Sequence, residues 1–173
     1  MDSLFALHLL DSHPEDVDLA QKIFEDSLVF LNRIEGHTSV PDNVASECME
    51  SLPQGVSADK KRTFVLISEK GVSAYYEYLV DFPESEICYL GLLLIPEKFQ
   101  RQGLGRQAMS IIERQFRIVH KARKIKLAYV ACNGTVGEFW EKMGFTECAP
   151  RQPYEHGDIH SEYVFMEKNL YHN

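Results

Sequence analysis

The chain has 173 residues, a net charge of −8 and a composition that is 45% hydrophobic and 25% charged. That length suits one hydrophobic core, and the composition excludes a disordered or membrane-embedded chain. No apolar run reaches the roughly 18 to 20 residues of a bilayer span, and an acid at Asp2 in place of a basic segment argues against a secretory signal, so the expected location is cytoplasmic, with no membrane partner.

In chain order, residues 14–36 place Val17, Ala20, Ile23, Phe24, Leu28 and Leu31 at helical spacing, with Pro14 near the start and Gly36 at the end. They predict one amphipathic helix. Residues 41–53, bracketed by Pro41 and Pro53, predict a shorter second helix. "TFVLIS" (63–68) and "VSAYYEYLV" (72–80) predict a β-hairpin across the turn "EKG". "EICYLGLLLI" (86–95) is too apolar for an edge and predicts a central strand covered on both faces. A long helix over 103–120, a strand over 124–132, a short helix over 137–145 and a closing strand over 162–170 complete the pattern. The order α-α-β-β-β-α-β-α-β-β describes an α/β protein with a mixed sheet, in a single domain over residues 1–173 with its core at about 14–170.

Cys48, Cys88, Cys132 and Cys148 include no CxxC pair, and His156 and His160 flank a glycine in "YEHGDIH", which reads as a loop. Reduced thiols and no metal site are expected. The charge is uneven: residues 1–60 hold 12 acids against 3 bases, while residues 98–126 hold nine bases against Glu113 alone. An acidic chain repels nucleic acid, so the basic segment predicts a small polyanion instead.

That segment contains "GLLLIPEKFQRQGLGRQAMSIIERQFR" (91–117), in which Gly103 and Gly105 open the long helix. Amides in the first turn of a helix have no intrahelical acceptor and carry the positive end of its dipole. Glycines let backbone approach an anion closely, and Gln100, Arg101 and Arg106 add donors, so the bend predicts a diphosphate cradle. Gly103, Gly105 and Ala108 also satisfy the dinucleotide fingerprint G-x-G-x-x-A. Seven residues between Ile95 and Gly103, and Asn133 where an acid should stand, argue against that reading.

Gln100-Arg101-Gln102-Gly103-Leu104-Gly105 resembles the (Q/R)-x-x-G-x-(G/A) acyl-CoA signature of the GNAT N-acetyltransferase superfamily. Asn133 followed by Phe139-Trp140-Glu141-Lys142-Met143-Gly144-Phe145 resembles the same family's N-x-x-A-x-x-F-Y-E-K-x-G-F segment. The resemblance implies a mixed, mostly antiparallel central sheet flanked by helices, with acetyl-CoA in a cleft between two splayed strands and no metal. It implies that Gln100, Arg101, Gln102, Gly103, Leu104, Gly105 and Arg106 take the pyrophosphate, and that Leu93, Leu94 and Ile95 run beside the pantetheine arm. Asn133, Phe139 and Trp140 would touch the cofactor, and an amide at a strand bulge around Leu93 to Ile95 would meet the oxyanion. Many relatives use a tyrosine where this chain has Trp140 to protonate the departing thiolate; an indole N–H is a donor and no practical acid. Glu77, Tyr78, Tyr89 and His156 are the candidate bases. The implied reaction is direct attack by a primary amine of a small molecule or peptide in a ternary complex, with a cationic acceptor favoured by the acidic first third. The alternatives are a non-catalytic acyl-CoA sensor of the same fold and an interaction module using the acidic helices; a monomer or homodimer fits either way.

Overall fold

The structure is a computed structural model that describes residues 5–171. The elements are β1 (Ala6–Leu10), α1 (Pro14–Glu25), α2 (Leu28–Glu35), α3 (Val44–Glu50), β2 (Lys61–Ser68), β3 (Gly71–Val80), β4 (Ile87–Leu94), α4 (Leu104–Ile118), β5 (Lys124–Val130), α5 (Val136–Lys142), β6 (Thr146–Glu147), β7 (Gln152–His156) and β8 (Ile159–Asn169). They form one eight-stranded sheet in the order β1-β2-β3-β4-β5-β8-β6, with β7 also paired to β8. Among the described residues, only β4 and β5 pair in parallel; the other pairs are antiparallel.

The expected single helix over 14–36 is two. Pro14 starts α1 and Glu15 and Asp16 in its first turn complement the helix dipole, but regular winding stops after Glu25. Ser27 is fully buried and its hydroxyl donates to the Ile23 carbonyl at 2.7 Å, a local bond that competes with the helical ladder. The apolar stripe continues across the break, which hid it from periodicity. The break also lets Asp26 accept from the Glu97 amide at 3.3 Å and pair with Lys98 at 2.5 Å, tying α1 to the loop after β4.

Two further differences lie at the ends of the chain. β1 pairs with β2 from Ala6↔Ile67 to Leu10↔Thr63 in a stretch too short and too exposed to show alternation. The segment read as loop before the last strand holds β6 and the β7–β8 hairpin, which turns through Gly157 at φ +55°. That hairpin folds back on α2: the Tyr154 hydroxyl donates to the Ile34 carbonyl at 2.6 Å.

The two sheet faces bury separate cores. On one, Ala20, Ile23, Phe24, Leu31 and Ala45 of α1 to α3 pack on Val65, Tyr75 and Leu94. On the other, Ala108, Met109, Ile112 and Phe116 of α4, with Trp140 of α5, pack on Leu66, Tyr76, Tyr78, Leu90, Leu127 and Val164. Alternation along β3 serves both: Ala74, Tyr76 and Tyr78 face α4, while Tyr75 faces the α1–α3 layer. Phe116 meets the Tyr78 ring edge-on at 4.6 Å between centroids, and the Tyr78 hydroxyl lies 2.9 Å from His120 Nε2. Truncating Phe116 to Ala is expected to lower unfolding free energy by about 3 to 5 kcal/mol, read by urea denaturation.

Candidate active site

β4 is where the sheet opens. It pairs with β5 only from Ile87↔Lys124 to Leu90↔Leu127, and beyond that the strands diverge. On its other side β4 keeps pairing with β3, but the register shifts: Glu77 opposes Leu92 and Tyr78 opposes Leu90, leaving Gly91 as an extra residue. A one-residue bulge bends a strand and reverses which face its later side chains take. So Cys88 and Leu90 belong to the α4 core while Leu92 and Leu94 belong to the α1–α3 core. The bulge expected at Leu93 to Ile95 therefore sits earlier, at Gly91, because that is where β4 must turn away from β5 without leaving β3.

Between the divergent strands lies a cavity of about 460 Å³. Gly91, Leu92, Leu93, Ala128, Tyr129, Asn133 and Trp140 wall its inner part; Phe30, Ile34, Tyr154 and Tyr163 wall the side toward α2 and the β7–β8 hairpin. Three carboxylates line it, Glu35, Glu47 and Glu77, and its lining includes no lysine, arginine or histidine. Glu77 accepts from the Tyr75 hydroxyl at 2.7 Å, pairs with Lys61 at 3.1 Å and accepts a weak thiol bond from Cys48 at 3.4 Å. Lys61 also donates to the Cys48 and Ser51 carbonyls at 2.6 and 2.8 Å, capping the end of α3. Burial, with Glu77 beside it, pushes the Cys48 thiol up to about 12, so Cys48 is a neutral donor and no nucleophile at pH 7. Burial does the same to Cys88.

Of the four candidate bases, the structure brings only Glu77 to this cavity. Tyr78 points to the other face and into the α4 core. Tyr89 stands on β4 before the split, its ring against Phe82 at 5.7 Å. His156 is exposed at the end of β7, opposite Ile159. The acidic contribution of Glu47 and Glu35, and the glutamate–lysine–tyrosine–cysteine cluster around Glu77, were beyond sequence reasoning because their members come from α2, α3, β2 and β3.

β4 runs on through Leu94 and Ile95 into a 3₁₀ turn over Glu97–Phe99 and then the glycine bend. Arg101 at φ +59° and Gly103 at φ +80° wind it tightly, an arrangement that gathers successive amides into an anion-binding concavity. Among the described residues, the amides of Arg101 to Arg106 have no protein acceptor, and α4 has no side-chain cap. The two glycines serve different ends. A Cβ on Gly103 would meet nothing within 4 Å, whereas one on Gly105 would lie 3.0 Å from the Phe139 ring and 3.5 Å from Ile95. Gly105 thus seats α4 against α5 and leaves the open approach to Gly103. Gln100 and Gln102 brace the bend from within, donating to the Ile95 and Lys98 carbonyls at 2.8 Å each, so Gln100 is not the outward donor expected. The basic segment is also less bare than its sequence: Lys98 pairs with Asp26, Arg123 with Glu86, and Lys124 and Lys126 with Glu167. Arg101 and Arg106, both exposed, form no salt bridge among the described residues. The bend and the cavity, joined by the free edge of β4, fit a ligand with a diphosphate at one end and an extended arm at the other. No group of three or more metal-ligating side chains occurs among the described residues.

Lys61 is 9% and Glu77 14% exposed, so removing the cation strands a carboxylate in a poorly solvated place. Lys61→Met is expected to cost about 3 to 5 kcal/mol in urea unfolding, with Lys61→Met/Glu77→Leu recovering much of it.

A sequence comparison with curated proteins returns no match. Among solved structures, an acetyltransferase from Thermus thermophilus superposes with a TM-score of 0.68 at 23% identity, over 98% of this chain and 99% of its own. A spermidine N-acetyltransferase from Vibrio cholerae, in complex with CoA and spermine, superposes with a TM-score of 0.71 at 14% identity, over 96% of this chain and 95% of its own. At these identities the likeness establishes the fold. The profile of the acetyltransferase (GNAT) family matches residues 24–145, a span that holds the split strands, the glycine bend and α5. The chain therefore belongs to the GNAT acetyltransferase family.

Proposed function

We propose that the protein transfers the acetyl group of acetyl-CoA to a primary amine of a small cationic acceptor by direct attack in a ternary complex. The observation that carries this reading is the cavity lined by Glu35, Glu47 and Glu77 and by no basic side chain. Carboxylates under low-dielectric walls concentrate cations and hold an ammonium in place before it loses its proton.

In this reading the amides of Arg101 to Arg106 hold the coenzyme diphosphate, with Arg101 and Arg106 screening its charge. The free edge of β4 from Leu92 to Leu94 runs beside the pantetheine arm, and Asn133 in the turn before α5, with Phe139 and Trp140 on α5, encloses it. The Gly91–Leu92 bulge offers its amides to the carbonyl oxygen as charge develops there. Glu77 takes the proton of the ammonium, directly or through one water. An alkylammonium has a pKa near 10, so without a base most of it is unreactive at neutral pH. The walls then exclude water and fix nitrogen and carbonyl at attacking distance.

Release of free thiol from acetyl-CoA over an amine panel tests the acceptor class: di- and polyamines should exceed neutral amines of similar size by at least about tenfold in kcat/KM. Equal rates for neutral and cationic amines would overturn the acidic cavity as selector. Glu77→Gln is expected to lower kcat about 100-fold with little change in the KM for acetyl-CoA. Calorimetry with CoA should show micromolar-range binding that Gly103→Glu abolishes, since a carboxylate there faces the diphosphate; undiminished affinity would remove the bend from the site.

A further inference from the structure

Acetyl transfer needs a second proton movement, onto the sulfur as the carbon–sulfur bond breaks. Trp140 stands where many relatives have their tyrosine, and it cannot supply that proton. Its side chain is 6% exposed and its Nε1 is buried with no hydrogen-bond partner, so the indole is a wall rather than a donor.

We propose that Tyr129 of β5 is the residue that protonates the departing sulfur. Parallel pairing ends at Leu90↔Leu127, so Tyr129 stands two residues past the last pair, where continued pairing would have put it opposite Leu92. Its side chain lines the cavity and packs with the core on the α4–α5 face, the face that also holds Trp140. The hydroxyl is seated against α5 in a space that only glycine leaves: a Cβ on Gly137 would lie 2.4 Å from Tyr129 Oη. Gly137 and Trp140 are three residues apart on α5, so the hydroxyl lies within about one helical turn of the position whose chemistry it replaces.

The other tyrosines near the cleft are either hydrogen-bonded elsewhere or on the opposite face of the sheet. Tyr75 donates to Glu77 at 2.7 Å and Tyr154 to the Ile34 carbonyl at 2.6 Å. Tyr76 bonds Gln115 and Tyr78 bonds His120. Tyr163 lines the cavity with no side-chain hydrogen bond to a described residue, but its neighbour Val164 belongs to the α4–α5 core, so alternation along β8 puts Tyr163 on the opposite face, edge-on to Tyr154 at 5.0 Å. Tyr129 makes no side-chain hydrogen bond to any described residue, and its oxygen is not sealed as Trp140 Nε1 is. Burial holds its pKa above the ordinary tyrosine value; of the charged groups that face it, Arg151 opposes that rise and Glu147 and Glu141 add to it. It carries its proton throughout the neutral range.

The step balances. The amine lone pair forms the carbon–nitrogen bond, the carbon–sulfur bond breaks, and its electron pair on sulfur takes the Tyr129 proton. The tyrosinate regains a proton from the newly acylated nitrogen through water. Glu77 has released the other, so ammonium and thioester become amide, thiol and one proton.

This inference rests on acetyl transfer at the proposed site, and two readouts test it. In steady-state assays, Tyr129→Phe should lower kcat about 100-fold while the KM for acetyl-CoA stays within twofold, and Tyr129→Phe/Trp140→Tyr should regain at least about tenfold. The second readout needs no acceptor: thiolate absorbance of bound CoA is titrated with pH. A hydroxyl that donates to sulfur stabilises the thiolate, so Tyr129→Phe should raise the bound thiol pKa by about one unit. Fluorescence of Trp140, the one tryptophan of the chain, verifies that the parent and Tyr129→Phe fold and take up CoA, and circular dichroism with CoA calorimetry verifies the same for the tryptophan-free double variant. A Tyr129→Phe enzyme with kcat within threefold of the parent and an unmoved thiol titration would overturn the assignment. A parent that acetylates no cationic amine would sink the acceptor proposal yet leave the titration to decide this one.

Discussion

β4 cannot be fully paired on both edges. It must remain bonded to β3, or the central sheet fails, and it must leave β5 after Leu90, or no cleft exists. The extra residue at Gly91 reconciles the two demands. It bends the strand, shifts its register against Glu77 and Tyr78, and swaps the faces on which Leu92 and Leu94 are buried. Cavity, strand edge and acceptor mouth all follow from that one insertion, because each lies on a backbone or side chain that the bend re-aims.

The same strand delivers the chain to the glycine bend. Its geometry is held from inside, by the two glutamine side chains on backbone carbonyls and by Asp26, which reaches Glu97 and Lys98 from the end of α1. A loop so braced spends its side chains on itself and leaves its amides for an anion. The unwinding between α1 and α2 is part of this design: with Ser27 bonded back to Ile23, the chain gains the corner that puts Asp26 in reach.

Charge is arranged by sign along the cleft. Arg101 and Arg106 stand at the glycine bend, and Glu35, Glu47 and Glu77 line the cavity. Glu77 is held by Lys61, Tyr75 and Cys48, and Lys61 in turn caps α3, so the mouth and the carboxylate are one cooperative unit. Proton handling at the other end of the acyl group falls to β5 once a tryptophan occupies α5, and Gly137 is the small change that makes room for it.

The sequence by itself determined the central strand, the long α4, the glycine bend and the α5 segment, because each rests on short-range signals: apolar period, helix-opening glycines and motif spacing. Gly103 takes the positive φ that the sequence reading allowed, whereas Gly105 also makes room for Phe139, a neighbour 34 residues away in the chain. Only the tertiary structure decided the break at Asp26, the bulge at Gly91, the membership of the acidic cavity and the seat of Tyr129. A bulge is a mismatch between two strands, an ion pair such as Lys61–Glu77 joins two strands through one side chain each, and a hydroxyl's vacancy for chemistry depends on which neighbours fail to claim it. None of these is a property of a segment, and so no periodicity or local motif can encode them.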